Sequence, residues 1–225
     1  KERDDTLKKL HELGVLNKNQ SLPFPLLPKR IALISAESSK GLSDFMQMIT
    51  ESSNKYTLET HLFPAYLQGD VAIKSIIQAL NKIKKVRQHF DVVLIIRGGG
   101  GEVGLSCYNN FELCKSIAEF PLPVLTGIGH STNLTVAEMV SFRHAITPTK
   151  LAEFLLVNFK ELDLALQSAF YIMRSGSKSC LSYSKTAFKN MAAMLKQLSA
   201  NHTLSAHNEI SLSSTKISFS SRQLI

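Results

Sequence analysis

The chain is short of cysteine, of acidic charge and of long apolar runs. Its three cysteines, Cys107, Cys114 and Cys180, form an odd set without paired short spacings. That argues against tetrahedral zinc, which needs such pairs, and fits a reducing, cytoplasmic compartment. No apolar run is long enough to cross a bilayer, so a membrane partner is not expected. No secretory signal is visible in "KERDDTLKKL". That start has no methionine and is already polar and helical in character, which reads as a piece of a longer chain. Asp and Glu number 18 against 26 Lys and Arg, a formal charge of +8. A basic excess suits polyanions, because each phosphate contact releases counterions.

What is present is a globular chain of 225 residues, 44% hydrophobic. Leu7, Leu10, Leu13 and Leu16 give the first stretch a helical face. "NKNQSLPFPLLPKR" follows, and its prolines predict an irregular linker. Then short apolar runs alternate with helical patterns. "RIALISAE", "YTLETHLFPAYL", "FDVVLIIR" and "LPVLTGIG" read as strands, the third a continuous run such as a parallel sheet buries on both faces. Helices are expected through "LSDFMQMITESS", "QGDVAIKSIIQALNKIKKV" and "NNFELCKSIAEF", and from "NLTVAEMVSF". This alternation predicts an α/β fold: an open, mainly parallel sheet flanked by helices. After "TPTKLAEF" the texture changes to two seams with coiled-coil steps of three and four. One runs from Leu151 to Met173, the other from Leu181 to Leu198. The expected organisation is 1–28 helix and linker, 29–150 α/β domain, and 151–225 long coiled-coil-like helices. The seam suits self-association, an internal hairpin or a partner helix equally well. The serine-rich end reads as continued helix, a frayed end or the edge of a longer segment.

Ligands in open parallel sheets bind beyond the carboxyl ends of the strands. Those ends deliver Ser35, with Asp44 just beyond; Gln68 and Gly69; Arg97 with four consecutive glycines, 98–101; and Gly129 with His130, Ser131, Thr132 and Asn133. Glycines allow backbone N–H groups close to an anion, and the arginine fork matches phosphate. "LIIRGGGGEVG" therefore reads as a phosphate site, against the plainer reading of a tight turn. Gly99, Gly101 and Gly104 also satisfy G-x-G-x-x-G. A dinucleotide site wants that pattern after the first strand and an acid after the next, and here neither holds. His130 at a strand end can act as acid or base near neutral pH. Asp44 in the first turns of a helix also has the plainer role of favouring the helix dipole.

Taken in order, "LPFPLLPKRIALIS", "SAESSKGLSD", "FPAYLQGDVA", "IIRGGG", "GIGHSTNLT" and "TPTKLAEF" resemble the exodeoxyribonuclease VII large-subunit family. The resemblance covers about Leu10 to Phe154 and continues loosely into the helical part. It implies hydrolysis of single-stranded DNA from both ends to short oligonucleotides with 5′-phosphates, in cytoplasmic DNA catabolism and repair. It implies no strict cofactor, with a divalent metal at most stimulatory. The implied partners are single-stranded DNA and several copies of a small helical subunit on the helical arm. In the family an OB-type domain precedes the catalytic region, and that domain is absent here. Asp44, Arg97 and His130 match catalytic positions. Ser35, Gln68, Arg97, Gly98, Gly99, Gly100 and Thr132 are the expected phosphate and DNA contacts. The family's fourth catalytic position is an aspartate, and here it is Asn133. An amide keeps the shape but has no charge and cannot act as a base. The acidic pair usual after the glycines is replaced by Val103 and Gly104. Three readings of Asn133 stand: an inactivation, a tolerated change at an orienting position, or a branch that uses Asp44 and His130 differently. The competing class is a catalytically weakened single-stranded DNA-binding or scaffold protein. A nucleotide-using enzyme rests only on the G-x-G-x-x-G coincidence.

Overall fold

The computed structural model describes residues 2–52, 56–98, 104–128 and 134–222. His130, Ser131, Thr132, Asn133, Gly99 and Gly100, expected at the site, lie outside the described residues. The chain divides into two units, 1–163 and 164–225.

The first unit is a doubly wound α/β layer structure. Five strands, β1 (Arg30–Ser35), β2 (Glu59–Pro64), β3 (Val92–Ile96), β4 (Val124–Gly127) and β5 (Arg143–His144), lie in the order β2-β1-β3-β4-β5. Every pairing is parallel. Helix α1 (Glu2–Glu12) precedes β1; α2 (Lys40–Ser52), α3 (Asp70–Lys85), α4 (Phe111–Ala118) and α5 (Val136–Val140) make the connections between strands, and α6 (Pro148–Arg222) follows β5.

Strand alternation sorts the core onto the two faces of the sheet. Ala32, Ile34, Val93, Ile95 and Val124 share one apolar cluster with residues of α1, α3, α4 and α5. Ile31, Leu33, Val92, Leu94, Ile96 and Leu125 share the other with α2 and the start of α6. Every residue of β3 is buried, as the apolar run required.

Several ends differ from the sequence reading. α1 stops at Glu12 because Gly14, at φ 66, turns the chain away. The proline-rich segment carries no helix or strand, yet it is anchored. Asn19 is fully buried; its Nδ2 donates to the carbonyls of Phe120 and Leu122, at 3.1 and 3.0 Å. Its Oδ1 accepts from the N–H of Val124 and Phe142, at 2.9 and 3.0 Å. β5 is a two-residue strand that no pattern announced. The two seams form one helix of 75 residues, not separate helices. Nothing between them breaks it, since Gly176 is tolerated inside a helix.

Within the first unit, α6 begins with Pro148 after Thr147, whose Oγ1 accepts from the Lys150 N–H at 3.2 Å. Its first turns bury Leu151, Ala152, Leu155 and Leu156. The second unit is helical from Leu164 to Arg222, and Leu166, Met173, Leu181, Phe188, Leu195 and Leu198 of its seam are exposed.

Candidate active site

In the order β2-β1-β3-β4-β5, the connections leaving β1 and β3 pass to opposite faces. A crevice opens between their carboxyl ends. This is where the structure places Arg97. Its backbone N–H donates to the Gly127 carbonyl at 3.0 Å, which extends the β3–β4 ladder by one residue. The side chain is almost wholly buried, at 3% exposure. A buried guanidinium is costly unless it meets acceptors or an anion, so its position at a cleft floor is a chemical statement.

A cleft of about 410 Å³ opens over it, lined by Arg97, Gly98, Gln68, Lys40, Ser38 and Ser39 among others. Ser39 precedes α2 and caps it: its Oγ accepts from the Leu42 N–H at 3.4 Å, and its carbonyl from the Ser43 N–H at 3.1 Å. No acidic residue occupies the first turn of α2. The positive end of the helix dipole, the Lys40 ammonium and the Arg97 guanidinium therefore act on one volume.

Two glycines make that convergence possible. A Cβ on Gly98 would lie 1.9 Å from the Gly41 nitrogen, and one on Gly41 would lie 2.6 Å from the Gly98 Cα. Only bare backbone lets the helix start approach the strand end so closely. The start of α6 joins the same edge: Pro148 Cγ is 2.9 Å from a Cβ built on Gly41.

The β2–α3 connection supplies the other wall. Ala65 N–H donates to the Ser35 carbonyl at 3.0 Å, and Tyr108 Oη donates to the Leu67 carbonyl at 3.1 Å. Gln68 follows, exposed, and Gly69 enters α3 at φ 72 with no side-chain cap. Gly104, at φ 94, packs beside Gln68, its position for a Cβ 3.5 Å from the Gln68 Cβ. Burial, and then the neighbouring Cys107, raise the Tyr108 pKa, and the Arg97 charge opposes them. Tyr108 therefore stays a neutral donor beneath the cleft.

Of the expected residues, Arg97, Gly98 and Gln68 share this cleft. Ser35 is placed differently. It is fully buried, and its hydroxyl donates to the Ile96 carbonyl at 2.7 Å, joining the ends of β1 and β3 below the cleft. Asp44 is exposed on α2, one turn beyond Lys40, and is not among the cleft-lining residues. Ser38, Ser39, Lys40 and Tyr66 were not singled out from the sequence. The signal for the first three was available: small polar residues and a lysine between a strand end and a helix start. Among the described residues, no group of three His, Cys, Asp or Glu side chains is placed to hold a metal ion. No helix among them is long and apolar enough to cross a membrane.

The family model "Exonuclease VII, large subunit" matches residues 15–223. The chain belongs to the exonuclease VII large-subunit family. The exodeoxyribonuclease 7 large subunit of Lacticaseibacillus casei is 38% identical over 147 residues, covering 65% of this chain and 32% of that protein. Its counterpart in Moorella thermoacetica is 33% identical over 184 residues, covering 81% and 45%. That of Clostridium tetani is 30% identical over 160 residues, covering 71% and 40%. The chain thus spans a third to a half of the length of these curated relatives.

Proposed function

We propose that this chain carries the catalytic region of an exodeoxyribonuclease VII large subunit, which hydrolyses phosphodiester bonds of single-stranded DNA. The observation that carries this reading is the cleft at the β1/β3 crevice, where Arg97, Lys40 and the capped start of α2 face one volume. Such a site suits a phosphate bearing negative charge.

In this reading the scissile phosphate sits over Arg97 and Gly98. Arg97 offsets the charge that builds on the phosphoryl oxygens in the transition state. Digestion runs from both ends to short oligonucleotides with 5′-phosphates. Products of that kind require water to attack phosphorus and the 3′ oxygen to leave. His130 activates the water or protonates that oxygen, and Asp44 orients His130 or acts as the base. Gln68, Gly99, Gly100 and Thr132 hold the strand by its backbone. The chemistry needs no obligatory metal, and a divalent ion at most stimulates it. The exposed apolar seam of α6 takes the small subunit, giving a hetero-oligomer that works in the cytoplasm.

Asn133 supports a second reading, in which the same cleft binds single-stranded DNA but cuts it weakly or not at all. One experiment separates the two. End-labelled single-stranded DNA is incubated with the chain, with and without small subunit and EDTA, beside Asn133→Asp. EDTA-resistant shortening by the unaltered chain supports the nuclease. Shortening by Asn133→Asp alone supports a scaffold disabled at one carboxylate. DNA binding without cleavage by either sinks the catalytic assignment.

A further inference from the structure

Beside the Arg97 cleft lies a second hollow, also about 410 Å³, lined by Ala36, Pro64, Ala65 and Tyr66 with Glu37 and Ser75 among others. The two share Ala36, Ser38 and Tyr66, so they are neighbouring compartments of one groove. Their chemistry differs. The first holds Arg97 and Lys40; among the described residues no cation lines the second, and Glu37 makes it unfavourable for a phosphate. Its walls combine the small apolar groups of Ala36, Pro64 and Ala65 and one aromatic ring with the polar side chains of Glu37, Ser38 and Ser75.

Tyr66 is 70% exposed. A single exposed aromatic means little by itself, but this one stands on backbone that cannot move far. Its N–H donates to Ser75 Oγ at 3.0 Å. Ala65 before it and Leu67 after it are buried, the first hydrogen-bonded to the end of β1 and the second to Tyr108. An aromatic on anchored backbone, shared by a cationic cleft and a hollow of mixed apolar and hydrogen-bonding walls, matches a nucleotide: phosphate on one side, base on the other.

We propose that the second hollow is a nucleobase subsite, with Tyr66 as its stacking face. The inference rests on the reading of the Arg97 cleft as a DNA-phosphate site. Stacking uses a π-face that every base has, so the subsite holds a strand in register without selecting its sequence. It also distinguishes a base-bearing single strand from a bare chain of sugar phosphates.

The chain contains no tryptophan, so Tyr66→Trp introduces a single fluorescent reporter at the subsite. The probes are a short oligo-dT and an oligomer of the same length built of abasic residues. The unaltered chain is expected to bind oligo-dT about ten-fold more tightly than the abasic oligomer. Tyr66→Ala should abolish that preference, weakening oligo-dT about ten-fold more than the abasic oligomer, while Tyr66→Phe retains it. Fluorescence of Tyr66→Trp should be quenched by oligo-dT and not by the abasic strand. If Tyr66→Ala keeps the preference, or weakens both probes equally, the stacking subsite is wrong while the phosphate reading stands. If neither probe binds, and Arg97→Ala changes nothing, both readings fall together. Because the Tyr66 side chain is exposed, these variants should retain the parent's circular dichroism, which is the control for folding.

Discussion

Gly41 and Gly98 touch backbone to backbone, so the start of α2 rests directly on the end of β3. A Cβ added to Gly98 would fall 1.9 Å from the Gly41 nitrogen and 2.5 Å from Ser39 Oγ. The first of these atoms is backbone and cannot swing aside, and moving the second would break the cap of α2. Gly98→Ala must therefore push helix and strand apart. The expected cost is about 1–3 kcal/mol, seen as a fall in Tm of several degrees. Loss of single-stranded DNA affinity should exceed what that destabilisation explains, because the displaced helix start forms a wall of the cleft. Gly176→Ala is the contrast: nothing lies within 4 Å of its Cβ, and it sits in α6. It should raise helix stability slightly and leave DNA binding alone.

Arg97 tests the phosphate reading most directly. Arg97→Ala should lower turnover of single-stranded DNA by about a hundred-fold or more, the scale for losing one charge-stabilising donor group. Arg97→Lys should recover only part of this, since an ammonium keeps the charge but not the planar fork. Arg97→Ala should also flatten the dependence of DNA affinity on salt, because one fewer phosphate is neutralised, whereas Arg97→Lys keeps the charge and should keep the slope. Unchanged turnover in Arg97→Ala would remove the residue from the mechanism.

How much of this was legible in the sequence depends on the range of the interactions involved. The β1, β3 and β4 runs are short, apolar and bounded by turn residues, so their period and placement were local information. That Arg97, Gly98 and Gln68 meet follows from one topological rule, that parallel strands deliver their ends to one edge. Ser35 shares that edge, but its hydroxyl turns to the Ile96 carbonyl; only the β1–β3 pairing reveals this. Asn19 was hidden for a similar reason. Its partners are more than a hundred positions away, and the prolines around it signal irregular chain correctly. Irregular chain is not loose chain, and nothing local marks the difference. β5 is only Arg143–His144, too short and polar to have a period. The two seams of α6, Leu151 to Met173 and Leu181 to Leu198, are separated by a stretch without an apolar step, but a helix ends only where a breaker or a better contact stops it.

Asn19 gives a stability prediction that does not involve the site. Asn19→Ala would leave two N–H groups, that of Val124 buried and that of Phe142 partly so, and two carbonyls without their side-chain partner. At a few kcal/mol for the set, the change should cost about 3–5 kcal/mol. A chemical denaturation midpoint is the measurement. Asn19→Asp retains the acceptor for Val124 and Phe142 but loses both donors and buries a charge against two carbonyls. It should therefore be no better than Asn19→Ala near neutral pH. A shift below about 1 kcal/mol in either variant would mean that solvent replaces these bonds easily.

The last prediction concerns acid. Asp91 accepts from the backbone N–H groups of Lys29 and Arg30, at 2.9 and 2.8 Å, and from the Arg30 guanidinium at 2.6 Å. Partial burial pushes its pKa up, but the bonds from Arg30 and Lys29 and the charge of Arg30 outweigh that, so the net direction is down. A carboxylate with a folded pKa below its unfolded value of about 3.9 binds fewer protons folded than unfolded in this range. Its contribution is complete above about pH 4 and is lost as pH falls through the lower, folded value. Stability should thus show no dependence on this pair between pH 5 and 8 and an acid limb below pH 4. Asp91→Asn should lower the neutral plateau and make the acid limb shallower. The Arg30 side chain is half exposed, so the effect should also shrink in high salt. An Asp91→Asn profile parallel to the parent's at every pH would show that the acid limb arises from other carboxylates.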